Sequence, residues 1–262
     1  MEINNIYYMD CLDGLRQMGD ASVDLLVTDP PYLMRNIQDH KESELGARAV
    51  RYQGVLKEQK LTEGYDARIL DEICRVMKTI NLYIWCNVLQ IPMYVRYFVL
   101  ERGCRMDILI WHKTNPMPLY HNKWLTDKEY CLYFQKGGYC SPSGYAEAKT
   151  VWDMPLNTKD KGRYGHPAIK PLPIMENIIR NSSREGDIVL DPFIGSGTTA
   201  VAALRNNRQF IGFENNKDHY DIAIGRIAEE RAAGTYAHCT GGREECGEGT
   251  YQALVSEGRQ VL

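Results

Sequence analysis

Apolar stretches long enough to cross a membrane are lacking in this sequence. The longest apolar runs, such as NLYIWCNVL, fall well short of the roughly 20 residues that a membrane-spanning helix needs. A basic start followed by an apolar block is lacking as well, so we expect no secretory signal. We therefore expect a cytoplasmic protein with no membrane partner. The hydrophobic share of 44% is enough for a sizeable core.

Cysteine pairs at the spacing of a metal site are also lacking. The eight cysteines are scattered, and several lie within apolar stretches, where small reduced side chains are expected. His238, Cys239 and Cys246 cluster near the end, but no second ligand pair has the right spacing. We therefore expect a reducing, intracellular environment and no metal.

An excess of positive charge is lacking too. The net charge of −3 argues against a nucleic-acid binder that is basic over its whole surface. Residues 102–170 nevertheless hold eleven Lys or Arg against six Asp or Glu, so this stretch carries +5 and the remainder −8. That distribution is compatible with a local phosphate-binding face, and equally with an ordinary solvated surface.

Strand-like runs alternate with helical patterns along the chain. The strand-like runs are rich in β-branched and aromatic residues; they are INNIYYM, VDLLVT, NLYIWCN, MDILIW, YCLYF, DIVL and QFIGF. Helical patterns such as ARILDEICRVMK and PLPIMENIIRNSS lie between most of them. This alternation predicts an α/β fold in which a mostly parallel sheet is covered on both faces.

Some segments fall outside this alternation. Residues 33–66 are polar and weakly periodic, and residues 113–128 and 136–165 are rich in Pro, Gly, Asn, Tyr and Lys. Loops of this length usually carry function or are disordered. The Gly- and Glu-rich tail over residues 234–262 is expected to be partly disordered, which leaves one domain over residues 1–233.

A glycine-containing turn lies between a strand and a helix in DIVLDPFIGSGTTAVAAL. Gly195 and Gly197 allow positive φ and a close approach of the backbone to a ligand, and the helix opens at Thr198. Such turns bind nucleoside cofactors in doubly wound sheets. Neither GxxxxGK[ST] nor GxGxxG is present, which argues against an NTP-binding loop and weakens the dinucleotide hypothesis. The next strand ends in Glu214, which is either a ribose ligand or an incidental surface acid.

The stretch DPPY at residues 29–32 follows a buried-looking strand. Pro30 and Pro31 form a stiff corner that holds Asp29 and Tyr32 in a fixed relation. The acid and the Pro30 carbonyl can accept both hydrogens of a ring amine whose ring stacks on the tyrosine, and such stacking contributes roughly 1–3 kcal/mol. Drawing those hydrogens out of the ring plane localises the lone pair for attack on a methyl group held in line. Taken alone, the four residues also fit a plain loop.

The combination of DPPY, DPFIGSGTT and the later Glu214 resembles the amino-methyltransferase family that uses S-adenosylmethionine. The catalytic turn precedes the cofactor turn, as in the beta group of DNA amino-methyltransferases. HPAIKP at residues 166–171 and IGFENNKDHYDIAIGRI also resemble motifs of that group. The resemblance covers residues 3–232. It implies a Rossmann-like, doubly wound, mostly parallel seven-stranded sheet with the circularly permuted methyltransferase topology.

The resemblance also implies roles for residues at matching positions. The catalytic turn comprises Asp29, Pro30, Pro31 and Tyr32. The residues implied for S-adenosylmethionine binding are Asp10, Cys11, Asp29, Lys170, Asp191, Phe193, Gly195, Ser196, Gly197, Thr198 and Glu214. Transfer would be direct, with no covalent intermediate. Since the reacting atom lies inside the duplex, the base would have to be flipped out, at a cost of a few kcal/mol.

Target recognition is implied for two segments, residues 33–66 and 113–165. Their Lys, His, Asn and Tyr side chains suit phosphate and base contacts. The candidates for nucleic-acid binding are Tyr32, Lys113, Asn115, Lys123 and His166. The chain has no large separate recognition domain, which leaves room for a homodimer. The implied partners are double-stranded DNA and a companion restriction endonuclease in a prokaryotic or phage setting.

Several functions stay open. An Asp before PPY is more typical of DNA adenine-N6 methyltransferases than of cytosine-N4 methyltransferases, where Ser is common. A catalytically silent nucleic-acid-binding homologue is the third hypothesis, against which the intact Asp29, Tyr32, Gly195 and Glu214 argue. A protein or RNA amino-methyltransferase usually places the glycine motif first.

Overall fold

The computed structural model describes residues 1–34, 44–118, 120, 122–165 and 168–234. The strands in that part of the chain are β1 Asn5–Tyr8, β2 Leu25–Thr28, β3 Ile80–Cys86, β4 Arg105–Lys113, β5 Lys128–Lys136, β6 Val151–Met154, β7 Ile188–Asp191 and β8 Gln209–Glu214. The helices are α1 Cys11–Gln17, α2 Glu44–Glu58, α3 Arg68–Val76, α4 Ile91–Tyr94, α5 Thr158–Tyr164, α6 Leu172–Ser182, α7 Thr198–Arg205 and α8 Lys217–Ala232. A π-helical segment, Val95–Glu101, continues α4.

The strands form one mixed sheet in the order β1-β8-β7-β2-β3-β5-β4-β6. Every neighbouring pair is parallel except the two that β5 makes with β3 and β4. The sheet is therefore mostly parallel and Rossmann-like, as predicted. The predicted number of seven strands is wrong by one, because β6 lies in a stretch that was expected to be a loop. This four-residue edge strand pairs only with β4 and is at most partly buried, so it lacks a continuous apolar signal.

The central strand β2 brings distant parts of the chain together. Leu26 pairs with Leu82 of β3 on one side and with Leu190 of β7 on the other. Parallel strands end at the same edge of a sheet, so the turn after β2 and the turn after β7 emerge side by side. The predicted catalytic turn and the predicted glycine turn are thereby neighbours, although about 160 residues separate them in sequence.

The hydrophobic core is divided by the sheet into two clusters. Leu26, Ile84 and Phe134 pack on the face covered by α1 and α3. Leu25 and Val27 point to the opposite face, which α6 and α7 cover. All four residues of β2 are buried, because a strand in the middle of a doubly covered sheet has no solvated face.

Two segments predicted as loops contain regular structure. Helix α2 lies within residues 33–66, and both β6 and α5 lie within residues 136–165. Helix α2 was missed because its apolar pattern is sparse, with Ala49 and Leu56 buried seven residues apart. Of the predicted tail over residues 234–262, residues 235–262 lie outside the described residues.

Candidate active site

A cleft of about 1440 Å³ lies at the carboxyl ends of the parallel strands. It brings together both turns that the sequence singled out. The sequence-predicted residues in its lining are Asp10, Cys11, Asp29, Pro30, Pro31, Tyr32, Lys113, Lys123, Lys170, Asp191, Phe193, Gly195, Ser196, Thr198 and Glu214. Gly197 and Asn115 do not line it, and His166 lies outside the described residues. This position is where doubly wound sheets bind their ligands.

The DPPY turn is held from two sides at the peptide that joins Pro31 to Tyr32. The side-chain amide of Gln90, which follows β3, donates to the carbonyl oxygen of Pro31 at 3.1 Å. The backbone N–H of Tyr32 donates to the carbonyl of Leu61 at 3.1 Å. The two prolines restrict the turn from within, and these contacts restrict it from outside. The side chain of Asp29 is therefore presented to the cleft from a rigid support.

Asp29 has one oxygen that is paired and one that is not. Its Oδ2 contacts the ammonium of Lys170, whereas its buried Oδ1 has no hydrogen-bond partner among the described residues. Burial raises the pKa of Asp29 and Glu129 raises it further, whereas Lys170 lowers it. For Lys170, burial lowers the pKa, but Asp29 and Glu129 outweigh burial and raise it above its usual range. An unpaired acceptor beside a cleft is suited to an amino hydrogen of a ligand.

Tyr32 is fixed from its hydroxyl end. The hydroxyl donates to Oε1 of Glu129 at 2.8 Å, and the Lys170 ammonium lies 5.5 Å from the ring centroid. Burial raises the pKa of Tyr32 well above its usual range, and Asp29 and Glu129 act in the same direction, so the phenol stays neutral. Sequence reasoning missed Glu129. The available signal was an acid at the start of the apolar strand KEYCLYF.

The glycine turn depends on backbone conformations that other residues rarely adopt. Gly195 has a φ of +51° and Gly197 a φ of +80°. A Cβ atom added at Gly197 would lie 3.1 Å from the Cα of Ala223, so the backbone of α8 would have to shift to admit a side chain. The turn can therefore pack directly against α8 while α7 begins at Thr198.

Asp191 connects the two turns. Its Oδ1 accepts hydrogen bonds from the Thr28 hydroxyl at 2.6 Å and from the backbone N–H of Phe193 at 3.1 Å. Its Oδ2 accepts from the Thr199 hydroxyl at 2.6 Å. Burial raises the pKa of Asp191 to about 7, because these hydrogen bonds offset only part of the cost of an enclosed charge.

Glu214 lies across the cleft from the DPPY turn, at the end of β8. Its Oε2 accepts from the backbone N–H of Gly195 at 3.0 Å, and its Oε1 accepts from that of Asn216 at 2.8 Å. Burial raises the pKa of Glu214, and the backbone N–H groups partly counteract that effect. The carboxylate is thus oriented by the glycine turn, and each oxygen keeps further lone pairs for hydroxyl donors.

Arg226 supports the glycine turn from α8, and sequence reasoning missed it. The buried guanidinium donates from Nη1 to the carbonyl oxygen of Ser196 at 2.7 Å. The same nitrogen donates to the hydroxyl oxygens of Ser196 and Thr198, each at 3.0 Å. Because these contacts span about 30 residues, the only sequence signal was a lone Arg in the apolar pattern DIAIGRIA.

The two N-terminal candidates open α1. Asp10 is the N-cap of this helix, and its Oδ1 accepts from the backbone N–H of Leu12 at 2.8 Å. Cys11 is buried, which raises the pKa of its thiol to about 12 and keeps it neutral. Across the cleft, the ring centroid of Phe193 lies 5.3 Å from that of Tyr65. These side chains give this end of the cleft a mainly apolar wall.

The candidates for nucleic-acid binding lie in different environments. The Lys113 ammonium points inward and pairs with Oε2 of Glu129 at 2.9 Å. Oδ1 of Asn115 accepts from the backbone N–H of Leu156 at 2.7 Å and ties β4 to the segment after β6. Lys123 is exposed at the rim of the cleft. Lys123 and Asn115 are both exposed, whereas Lys113 is only partly exposed.

Within the described part of the chain, no group of three or more His, Cys, Asp or Glu side chains could hold a metal ion. No helix in the same residues has the length and apolarity to cross a membrane.

The comparisons with known proteins agree with this geometry. The model of the N6/N4 methyltransferase family, described as DNA methylase, matches residues 23–225. The chain belongs to this family of S-adenosylmethionine-dependent DNA amino-methyltransferases. Its substrate is DNA and its methyl donor is S-adenosylmethionine.

Individual relatives match over most of their length. The chain is 26% identical to the type II methyltransferase M2.MboI of Moraxella bovis, over 86% of this chain and 88% of that protein. It is 30% identical to the type II methyltransferase M2.LlaDCHI of Lactococcus lactis subsp. cremoris, over 85% of this chain and 88% of that protein. The crystal structure of an M1.HpyAVI complex with S-adenosylmethionine is similar, with a TM-score of 0.62, 26% identity and coverage of 85% of this chain and 98% of that one.

Proposed function

We propose that this DNA methyltransferase acts on the exocyclic N6 of adenine. The observation that carries the proposal is the unpaired Oδ1 of Asp29, held beside the cleft on a turn of two prolines. With the Pro30 carbonyl, it offers two acceptors for the two hydrogens of a ring amine. Asp at this position is more typical of enzymes that act on adenine than of those that act on cytosine-N4.

The residues of the cleft fit S-adenosylmethionine, which supplies an electrophilic methyl group when bound. A carboxylate already oriented by the turn, Glu214, would accept the ribose hydroxyls. The turn from Gly195 to Thr198, where a side chain at Gly197 would strike α8, would hold the methionine part. Asp10 and Cys11 would border the adenosine, and Phe193 would line the methionine side of the cofactor. Under this assignment the cofactor lies between the glycine turn and the DPPY turn.

The chemistry of this chain's own residues follows from that arrangement. Asp29 and the Pro30 carbonyl accept the amino hydrogens and draw them from the ring plane, which localises the nitrogen lone pair. Tyr32, fixed through its hydroxyl, offers a ring for the flipped base to stack on. Catalysis is then mainly a matter of holding the nitrogen in line with the methyl group.

The base is identified by mass spectrometry of nucleosides from unmethylated DNA treated with the protein and S-adenosylmethionine. N6-methyladenine is the expected product. Detection of N4-methylcytosine instead would overturn the adenine proposal in favour of the cytosine-N4 alternative. Cofactor binding without any methylated nucleoside would favour the catalytically silent homologue. Sequencing the methylated DNA would then give the recognition site.

A pair of substitutions separates the two halves of the cleft. We expect Asp29→Ala to abolish methyl transfer while the dissociation constant for S-adenosylmethionine changes little, since Asp29 acts on the amine. We expect Glu214→Ala to raise that constant about 10- to 100-fold, the loss from removing an acceptor of charged hydrogen bonds. Exposed Asp13→Asn serves as the control. Appreciable turnover by Asp29→Ala, or an unchanged constant in Glu214→Ala, would contradict the respective role.

The DNA-facing side is proposed to comprise residues 33–66 and 113–165 of a single domain that ends near residue 233. The stretch between β4 and β5 supports this placement: Lys123 lies at the rim of the cleft, and the neighbouring Trp124 is 94% exposed. A cytoplasmic location, a homodimer and a companion restriction endonuclease complete the proposal. The homodimer is inferred from the short recognition segments. The companion endonuclease and the cytoplasmic location are inferred from the relatives, which are bacterial type II methyltransferases.

A further inference from the structure

A cluster of four charged side chains lies behind the DPPY turn, with Glu129 at its centre. Oε1 of Glu129 accepts from the Tyr32 hydroxyl at 2.8 Å and pairs with the Lys170 ammonium at 2.8 Å. Oε2 pairs with the Lys113 ammonium at 2.9 Å. Lys170 also contacts Asp29. Glu129 therefore touches both the residue that holds Asp29 and the residue proposed to stack on the base.

The cluster is balanced in charge and enclosed. It contains two carboxylates and two ammonium groups, whose side chains are 7% to 21% exposed. Burial raises the pKa of Glu129, but Lys170 and Lys113 outweigh that effect and hold the pKa well below its usual range. An ionised group inside a protein is tolerated only when it is paired, so each member depends on the others.

Lys170 stands between two carboxylates, and this position has a consequence for Asp29. If Glu129 were absent, Asp29 would be the only carboxylate paired with the Lys170 ammonium in the described structure. Lys170 would then compete with the target amine for the oxygens of Asp29. Because the Lys170 ammonium also pairs with Glu129, it keeps a carboxylate partner when an amine approaches Asp29.

We propose that Glu129 is a positioning residue for methyl transfer, which orients Tyr32 and shares the Lys170 ammonium with Asp29. It does not touch the reacting atoms and acts through these two neighbours. The inference rests on the proposed role of Asp29 and Tyr32 in binding the target amine. It adds a residue on β5 to a site otherwise built from the turns after β2 and β7 and from Glu214 at the end of β8.

The test is Glu129→Gln, which keeps the size of the side chain and an acceptor oxygen but removes the charge. We expect kcat for DNA methylation to fall about 10²-fold, as for other losses of alignment in a reactive pair. The dissociation constant for S-adenosylmethionine and the KM for DNA should change less than about 3-fold, since neither ligand is bound by Glu129. Glu185→Gln, at an exposed glutamate outside the cleft, is the matched control.

A double variant, Glu129→Gln with Lys113→Met, separates positioning from folding. It removes one negative and one positive charge, so the enclosed cluster is neutral again. If Glu129 positions Lys170 and Tyr32, the double variant regains the thermal stability of the wild type but keeps the low kcat. Recovery of kcat together with stability would overturn the inference and leave Glu129 a structural role only.

The failure of this inference is distinguishable from failure of the proposed function. Unmethylated plasmid DNA is treated with the wild type and the variants under the same conditions. No methylated nucleoside from the wild type would overturn the proposed function. Methylation by the wild type and an undiminished kcat in Glu129→Gln would overturn only the role of Glu129.

Discussion

Among single residues, Asp191 has an environment that differs strongly from that of an ordinary surface acid. It is buried between the hydroxyls of Thr28 and Thr199, and no cation is paired with it in the described structure. Its pKa of about 7 means that the native state keeps a proton which the unfolded chain releases near pH 4. The residue therefore links the stability of the cleft to pH.

The sign of this linkage gives a prediction. With a folded-state pKa above the unfolded value, the contribution of Asp191 is fully present below about pH 4 and is lost as the pH rises towards 7. Over that interval it lowers the free energy of unfolding by up to about 1.4 kcal/mol per pH unit. We expect Asp191→Asn to remove this component, as measured by urea unfolding at about pH 5 and about pH 7.5. The control Asp107→Asn, at an exposed acid, should retain this component. If Asp191→Asn showed the same pH dependence as the wild type, the assignment would be refuted.

At the scale of elements, the glycine turn and helix α8 form one packed unit. Gly197 touches Ala223, and Arg226 reaches back to Ser196 and Thr198. A residue with a side chain at Gly197 would have to adopt a left-handed backbone conformation. Its Cβ atom would also press against Ala223 of α8. The shape of the cofactor turn is thus set jointly by its own sequence and by a helix that begins about 20 residues later.

We expect Gly197→Ala to destabilise the protein. The left-handed conformation alone costs about 1–2 kcal/mol for a residue with a Cβ, and the 3.1 Å approach to Ala223 adds to it. The melting temperature should fall by several degrees and S-adenosylmethionine should bind more weakly. The matched control is Gly225→Ala within α8, where an added Cβ meets nothing and helix propensity favours alanine. Equal melting temperatures for the two variants would contradict this account.

The same elements show what the sequence alone could predict and why. Pro30 and Pro31 restrict the backbone locally, and Gly195 and Gly197 permit the positive φ that their turn needs, so the position of both turns was readable from the sequence. Glu129 was not, because its role depends on contacts between a strand and two distant turns. Helix α2 and strand β6 were missed for another reason, since both bury too few apolar side chains to give a clear period.

At the scale of the whole molecule, the rim of the cleft combines exposed aromatic and basic side chains. Trp124 lies between Lys123 and Lys128, which are both exposed. An indole that is 94% solvent-accessible gains little from the protein itself and is suited to stack on a base beside the cleft. The flanking lysines complement phosphate charge.

We expect Trp124→Ala to weaken DNA binding about 5- to 100-fold, in line with roughly 1–3 kcal/mol for one stacked base. Binding of S-adenosylmethionine should not change. Leu100→Ala is the control, because this apolar side chain is 75% exposed but lies outside both proposed DNA-facing segments and does not line the cleft. Fluorescence anisotropy of labelled duplex DNA measures the effect. Equal affinities for the wild type and Trp124→Ala would contradict the placement. If Trp124→Ala instead differed from the wild type in its molecular mass in solution, Trp124 would lie at a contact between two copies of the chain.

The strand order also bears on how the protein acquires its shape during synthesis. Strand β1 pairs with β8, and β2 pairs with β7, so this half of the sheet joins residues about 160 to 200 positions apart. Long-range parallel pairing is slow to form. A chain still attached to the ribosome has made its DPPY turn long before the strands that carry Asp191 and Glu214 emerge. The nascent protein therefore cannot assemble its cofactor cleft, and cannot methylate DNA, until translation has passed β8.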